Sequence, residues 1–209
     1  MLKQSFLLLA STTLSLIAIS NPAIAGSFKF DYKLTSPDST GLDLFGHSIA
    51  LDGDLALIGA SNNLPTGSAY LFDVTSGELL QKFTAPDNTK RDIFGSTVAL
   101  AENLALIGGY PLEDGNSSAY LFDINNGNLL HTFTNPNEFK TQGSLFGYSL
   151  ALTKDVALIN APGDNSTHLF DTQSGNFLST LSSTVDYGTN KVTADGGLAL
   201  IANRGGTSL

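Results

Sequence analysis

Hydrophobic residues along this chain fall into short bursts separated by Gly, Asp, Asn, Ser and Pro. The first four bursts after residue 44 are Phe45–Leu51, Leu55–Ala60, Ala69–Phe72 and Leu79–Phe83, rich in Ile, Val, Leu, Phe and Tyr. Apolar runs this short, bounded by turn formers, predict β-strands, and their close succession predicts an antiparallel meander. The second run is apolar at nearly every position, as in a strand covered on both faces. The fourth is interrupted by Gln81-Lys82, as in a strand with one face in water. Beyond the N-terminus no stretch shows an apolar stripe at helical spacing.

The same phrasing recurs. Phe45-Gly46-His47-Ser48-Ile49-Ala50-Leu51 returns as Phe94-Gly95-Ser96-Thr97-Val98-Ala99-Leu100 and as Phe146-Gly147-Tyr148-Ser149-Leu150-Ala151-Leu152. Each copy is followed by a second apolar run (Leu55–Ile58, Leu104–Ile107, Val156–Ile159) and then by Leu-Phe-Asp (Leu71–Asp73, Leu121–Asp123, Leu169–Asp171). Self-similarity at roughly 50 residues marks solenoids, propellers and arrays, and four-stranded units with a buried inner part and a wetter outer strand predict propeller blades. The expected fold class is all-β: a β-propeller of four-stranded antiparallel blades, about three full blades plus a partial fourth. A fourth unit has lost Phe-Gly, but Gly197–Ile201 aligns with Asp155–Ile159. At the other end Phe28–Leu34, followed by Pro37-Asp38, matches Leu79–Phe83, followed by Pro86-Asp87. Two frames remain open. Either the N-terminal strand completes the fourth blade and closes a small ring, or the ring is incomplete and its edge strands are available for self-association or another chain.

Phe-Gly-x-Ser-(Val/Ile/Leu)-Ala-Leu, Leu57-Ile58-Gly59-Ala60 and Ala69-Tyr70-Leu71-Phe72-Asp73 resemble the FG-GAP repeat, which builds the β-propeller of integrin α-chains and of many secreted bacterial proteins. The resemblance covers residues 28 to 209 and implies a propeller with an adhesion-type role. Many repeats of that family carry a calcium loop of Asp-x-Asp-x-Asp-Gly type between strands one and two. Here the connection has shrunk to Asp52-Gly53-Asp54, Ala101-Glu102-Asn103 and Thr153-Lys154-Asp155. Calcium takes six to eight oxygens, so the family's metal site is not carried onto this sequence. The repeated Asp73, Asp123 and Asp171 each precede a Gly, at 77, 127 and 175, and read as turn caps: the carboxylate accepts backbone N–H groups and the Gly supplies a positive φ.

The N-terminus differs from the rest. Lys3, an apolar run from Phe6 to Ile19 and Ala23-Ile24-Ala25 describe a signal peptide over residues 1–25. Residues 26–209 are then one propeller domain, exported to the periplasm or the medium. The chain has no Cys, so neither a disulfide framework nor a thiol-linked lipid is expected. A net charge of −9 argues against nucleic acid and anionic membranes as partners.

Strand alternation sends the strand two–three and strand four–one loops to one rim and the tight turns to the other. The long, divergent segments all lie on the first rim: 61–68, 110–118 and 162–167, with 37–44, 86–93, 136–145 and 182–187. Loops on a rigid scaffold commonly carry recognition, so that rim is the expected binding face, for an extracellular protein or glycan. Individual candidates are Lys90-Arg91, Glu113-Asp114, Tyr110 and Phe139, each of which reads first as a solvated or packed loop residue. The acids Asp43, Asp92, Glu113, Asp114 and Asp164 would serve a polysaccharide-acting enzyme, yet nothing singles out a pair. His47, His131 and His168 stand at three different strand positions and make neither a metal triad nor a nucleophile–base pair. No catalytic, cofactor or metal residue is expected. The reading is a non-catalytic binding or scaffold module. A propeller enzyme, or a structural fragment of a larger propeller, is the alternative.

Overall fold

The computed structural model describes residues 6–9, 14–18, 29–38, 41–63, 65–86, 93–109, 117–137, 143–182, 191–195 and 197–202. It is an all-β array of antiparallel sheets in chain order. An N-terminal sheet holds β1 (Phe6–Leu9), β2 (Leu14–Ala18) and β3 (Lys29–Leu34). The first full blade is β4 (Phe45–Asp52), β5 (Leu55–Ala60), β6 (Ser68–Asp73) and β7 (Leu79–Thr84). The second is β8 (Thr97–Ala101), β9 (Leu104–Gly109), β10 (Ser118–Asp123) and β11 (Leu129–Thr134). The third is β12 (Ser149–Leu152), β13 (Val156–Ala161), β14 (Ser166–Asp171) and β15 (Phe177–Ser182). A last sheet pairs β16 (Lys191–Asp195) with β17 (Leu198–Ala202). Each full blade is a simple meander, and the inner strands β4, β8, β12 and β16 pack on one another in succession.

The burial of each strand follows its place. β5, β9 and β13 are buried almost throughout, whereas β7 and β11 bury mainly Phe83 and Phe133. The apolar cores lie between sheets rather than within one. Leu57, Leu71 and Phe83 of the first blade meet Phe94, Ile107 and Phe122 of the second, and Leu106, Leu121 and Phe133 meet Phe146, Ile159 and Phe170. Outer strand and next blade touch ring to ring, Phe83 on Phe122 at 5.1 Å and Phe133 on Phe170 at 4.7 Å.

In the second and third blades Phe-Gly turns out to be a turn before the strand, and in the first, where β4 begins at Phe45, the pairing shifts register between Phe45 and Ser48. Sequence pattern places Phe94 and Phe146 inside strands one, but β8 and β12 begin three residues later, at Thr97 and Ser149. Gly46, Gly95 and Gly147 adopt φ of 90°, 85° and 90°, a conformation open to Gly, and the N–H two residues after each Phe closes the turn onto the carbonyl before it at 3.0 Å. The turn drives the Phe ring into the core. Phe45, Phe94 and Phe146 stand nearly perpendicular to Phe72, Phe122 and Phe170, with centroids 6.0, 6.2 and 6.2 Å apart.

The residue two places after each Gly then fastens the blades together. Ser48 Oγ donates to Gly95 O at 2.8 Å, Thr97 Oγ1 donates to Gly147 O at 2.6 Å, and Ser149 Oγ accepts from Val192 N at 3.1 Å. Gly59 and Gly108 make room for this. A Cβ on Gly59 would lie 1.9 Å from Gly95 O, and one on Gly108 would lie 2.3 Å from Thr97 Oγ1.

Of the two frames open in the sequence, the described residues do not show the N-terminal strand completing the fourth sheet. β3 pairs with β2, and β17 pairs with β16. The β2–β3 register reproduces that of strands three and four in a blade: Leu14 opposes Leu34 as Ala69 opposes Phe83, and a register shift follows at the equivalent point. β1 likewise sits in the strand-two place.

Candidate functional site

Hydrogen bonds assign the loops to rims. At one end of the blades the strand three–four turns are tied to the strand one–two hairpins: Val74 N to Asp54 O at 2.8 Å, Ile124 N to Asn103 O at 3.0 Å and Thr172 N to Asp155 O at 3.0 Å. At the other end the strand two–three loops are tied to the strand four–one loops: Asn62 N to Asp43 O, Phe94 N to Thr66 O and Gly163 N to Ser144 O, each at 3.0 Å. This places the long, divergent segments together, wherever they are described.

The turn rim is occupied by its own chemistry. Asp73 Oδ1 accepts Thr75 N at 2.7 Å, Thr75 Oγ1 at 2.6 Å and Ser76 N at 2.9 Å, and these bonds hold its carboxyl at about 2. Asp171 accepts Ser174 N at 2.7 Å and Ser174 Oγ at 2.8 Å and is likewise lowered. Asp123 accepts Asn125 N at 2.8 Å. All three are caps. In the hairpins, Asp52 Oδ2 accepts the Glu102 N–H.

The loop rim carries a recess of about 480 Å³ at the inner strands, lined by His47, Ser48, Ser96, Thr97, Tyr148, Ser149 and Lys191 with Ile49, Val98 and Leu150. His47, Ser96 and Tyr148 are the variable residue of the Phe-Gly-x phrase. His47 Nδ1 lies 3.2 Å from Ser96 O, and Lys191 Nζ sits over the Tyr148 ring, 5.1 Å from its centroid. Among the described residues no carboxylate lines this mouth. The opposite mouth, of about 490 Å³, is lined by Asp52, Glu102, Asp155 and Asp195 beside Lys154. The described linings of the two mouths therefore differ in sign. Lys191 has no signal in the Phe-Gly phrase, which its unit has lost; it appears only when β16 is counted back from Leu198, which puts it level with Ser48, Thr97 and Ser149.

A second polar cluster joins the N-terminal sheet to the first blade. Asp38 accepts from the Tyr70 hydroxyl, Lys82 Nζ, Ser36 Oγ at 3.1 Å and Asn63 Nδ2 at 3.3 Å. Partial burial pushes the Asp38 carboxyl up, but the bonds from Lys82, Tyr70 and Ser36 outweigh it and hold it at about 2. Tyr70 moves the other way, raised by burial and by the Asp38 carboxylate.

The remaining candidates scatter. His131 lies on outer strand β11 with Nε2 3.2 Å from Gln173 O. His168, in the place of Tyr70 and Tyr120, is buried between Ser166 Oγ at 3.0 Å and Thr180 Oγ1 at 2.9 Å, and burial lowers its pKa. Asp43 is buried, with Oδ1 3.4 Å from Phe45 N. Asp164, in the 3-10 turn Pro162–Asp164, accepts Asn135 Nδ2 at 2.6 Å. Asp92, Lys90-Arg91, Tyr110, Glu113-Asp114 and Phe139 lie outside the described residues.

Stacked four-stranded meanders, inner strands packed in succession and cores between sheets define a β-propeller-type array. Residues 28–72 and 78–122 match the FG-GAP repeat, so the chain carries two FG-GAP repeats within this propeller-type array. The third blade repeats the same geometry beyond the matched span. Among solved structures the chain is similar to the Neurospora crassa Pan2 WD40 domain, at 12% identity and a TM-score of 0.60. That similarity covers 96% of this chain and 58% of the other, so the likeness is one of fold over little more than half of that domain. No curated protein matches the sequence.

Proposed function

We propose that this chain is an exported, non-catalytic, adhesion-type module that recognises an extracellular protein or glycan through its loop rim, with the inner recess as anchor. The observation behind this reading is the lining of that recess. An imidazole (His47), a phenol (Tyr148), an ammonium (Lys191) and the hydroxyls of Ser96 and Thr97 meet there, with no carboxylate among the described lining residues, in a chain of net charge −9. Such a set donates hydrogen bonds, offers positive charge and presents an aromatic face, which suits an acidic sugar or a carboxylate side chain. Among the described residues its lining includes no carboxylate pair of the kind that cleaves glycosidic bonds. Export follows from the leader-like residues 1–25, with the mature chain starting at Gly26.

A glycan array including uronic and sialic acids, probed with the exported chain, tests the reading. Selective binding that falls at least tenfold with Lys191→Ala supports it. Turnover of a polysaccharide panel, or binding indifferent to Lys191, contradicts it. Mass spectrometry of the exported chain should find Gly26 at the N-terminus; retention of residues 1–25 would overturn the leader.

A further inference from the structure

The recess on the loop rim sorts its hydrogen-bonding groups from one side to the other. On the side of the first two blades the protons are already committed. Ser48 Oγ donates to Gly95 O at 2.8 Å, Thr97 Oγ1 to Gly147 O at 2.6 Å and Ser96 Oγ to Gly108 O at 3.4 Å. A carbonyl oxygen only accepts, so what these hydroxyls keep for a ligand is lone pairs. His47 follows the same rule. Its Nδ1 lies 3.2 Å from Ser96 O, so Nδ1 carries the proton and Nε2 of the neutral imidazole is an acceptor. Across the recess the arrangement is reversed. Ser149 Oγ accepts from Val192 N at 3.1 Å, which leaves its own proton to give. Among the described residues no acceptor holds the Tyr148 hydroxyl. Lys191 Nζ, 5.1 Å from the centroid of the Tyr148 ring, has no carboxylate beside it among those residues either. β4, β8, β12 and β16 pack in that order, so the acceptors stand at the first two strands and the donors at the third and fourth.

A bare carboxylate suits only one side of this. At Lys191, Tyr148 and Ser149 it accepts hydrogen bonds, the strongest from the ammonium. It has no proton for His47 Nε2 or for the Ser48 and Thr97 oxygens, and covering those acceptors without pairing them is costly. A second carboxylate there would meet lone pairs. A neutral polyol has the opposite fault, since it leaves the ammonium without an anion. We propose that the recess selects a ligand carrying one carboxylate and several hydroxyls, an acidic sugar residue, over the carboxylate side chain of a protein. This rests on the reading of the recess as the anchor of recognition and narrows its ligand. The sugar carboxylate sits at Lys191, Tyr148 and Ser149, and its hydroxyls donate to His47 Nε2, Ser48 Oγ and Thr97 Oγ1. The volume of about 480 Å³ lies within the usual range of small-molecule sites, roughly 300–1,000 Å³.

The test is an NMR titration of the full chain with three six-membered-ring probes. Galacturonate has both kinds of group, galactose lacks the carboxylate, and cyclohexanecarboxylate lacks the hydroxyls. Galacturonate should bind about tenfold more tightly than either of the others, the loss expected when covered polar groups go unpaired. Lys191→Ala should bring galacturonate to the level of galactose and leave galactose itself unchanged. His47→Phe should weaken galacturonate about tenfold and leave cyclohexanecarboxylate no weaker, a split that general damage to the site would not produce. Both positions are exposed, and circular dichroism checks folding. Cyclohexanecarboxylate binding the wild type as tightly as galacturonate would overturn the inference but not the recess as anchor, which would then read a carboxylate alone. Galactose binding as tightly as galacturonate, or equal loss of both acids in His47→Phe, would also overturn it. Binding of no probe at about 100 mM would overturn the inference and the recess reading together.

Discussion

Asp73, Asp123 and Asp171 show what a single repeated residue can disclose. Their recurrence beside a Gly identifies them as caps, and the structure places backbone N–H groups on each carboxylate. Asp38 was not legible in this way, because its partners Tyr70 and Lys82 come from a different sheet and only the fold brings them together. Both Asp38 and Asp73 are held at about 2, below an ordinary carboxyl near 3.9. Their contribution to stability is therefore complete above about pH 4 and is lost as pH falls through 2. Urea denaturation at a series of pH values should show a slope in that window, and Asp38→Asn with Asp73→Asn should flatten it. His168 has the opposite history: burial lowers its pKa, so as pH falls below about 6.5 the unfolded chain takes up a proton that the folded chain refuses. Stability should drop over that range, and His168→Tyr, the residue of the other two blades, should remove the drop in the same experiment.

At the level of the element, strand number, order and burial within the three full blades were readable because each unit repeats the pattern of apolar and polar positions, whereas β1 and β2 fall in residues read as a leader. The Phe-Gly turn was not, since a Phe-Gly-x-Ser phrase is as apolar as a strand and differs only in the sign of one φ. Equally hidden was the reason for Gly59 and Gly108, which lies in the neighbouring blade. A methyl at Gly59 meets a backbone carbonyl that cannot move aside, so Gly59→Ala should cost about 2–3 kcal/mol, in the range of overpacked cores. Thr97→Val leaves the Gly147 carbonyl without its 2.6 Å donor and should cost about 1–2 kcal/mol. Chemical denaturation of each variant checks both values, and a loss below about 0.5 kcal/mol would remove the staple from the account. Asn160 occupies the place of Gly59 and Gly108 in the third blade, with its Nδ2 donating to Ser166 O at 3.1 Å. The unit after it is the one that lacks Phe-Gly, so the absence of the motif and the presence of a side chain there belong together.

Across the whole molecule the rims could be assigned from strand alternation, while the recess could not. Its lining comes from three repeats and from β16, and the sequence gives no hint that Lys191 faces Tyr148 until the sheets are stacked. The two mouths of the inner strands, whose described linings hold no carboxylate in one and four in the other, are the property of the assembled array that most directly bears on recognition. The decisive measurement is binding of the exported chain to the acidic glycan array in three forms: wild type, Tyr148→Ala with Lys191→Ala, and Asp52→Ala with Glu102→Ala. Recognition through the loop rim predicts that the first substitution pair abolishes the signal and the second leaves it within about twofold, a difference of some 0.4 kcal/mol. Equal loss in both, or a wild-type signal no higher than background, would contradict it.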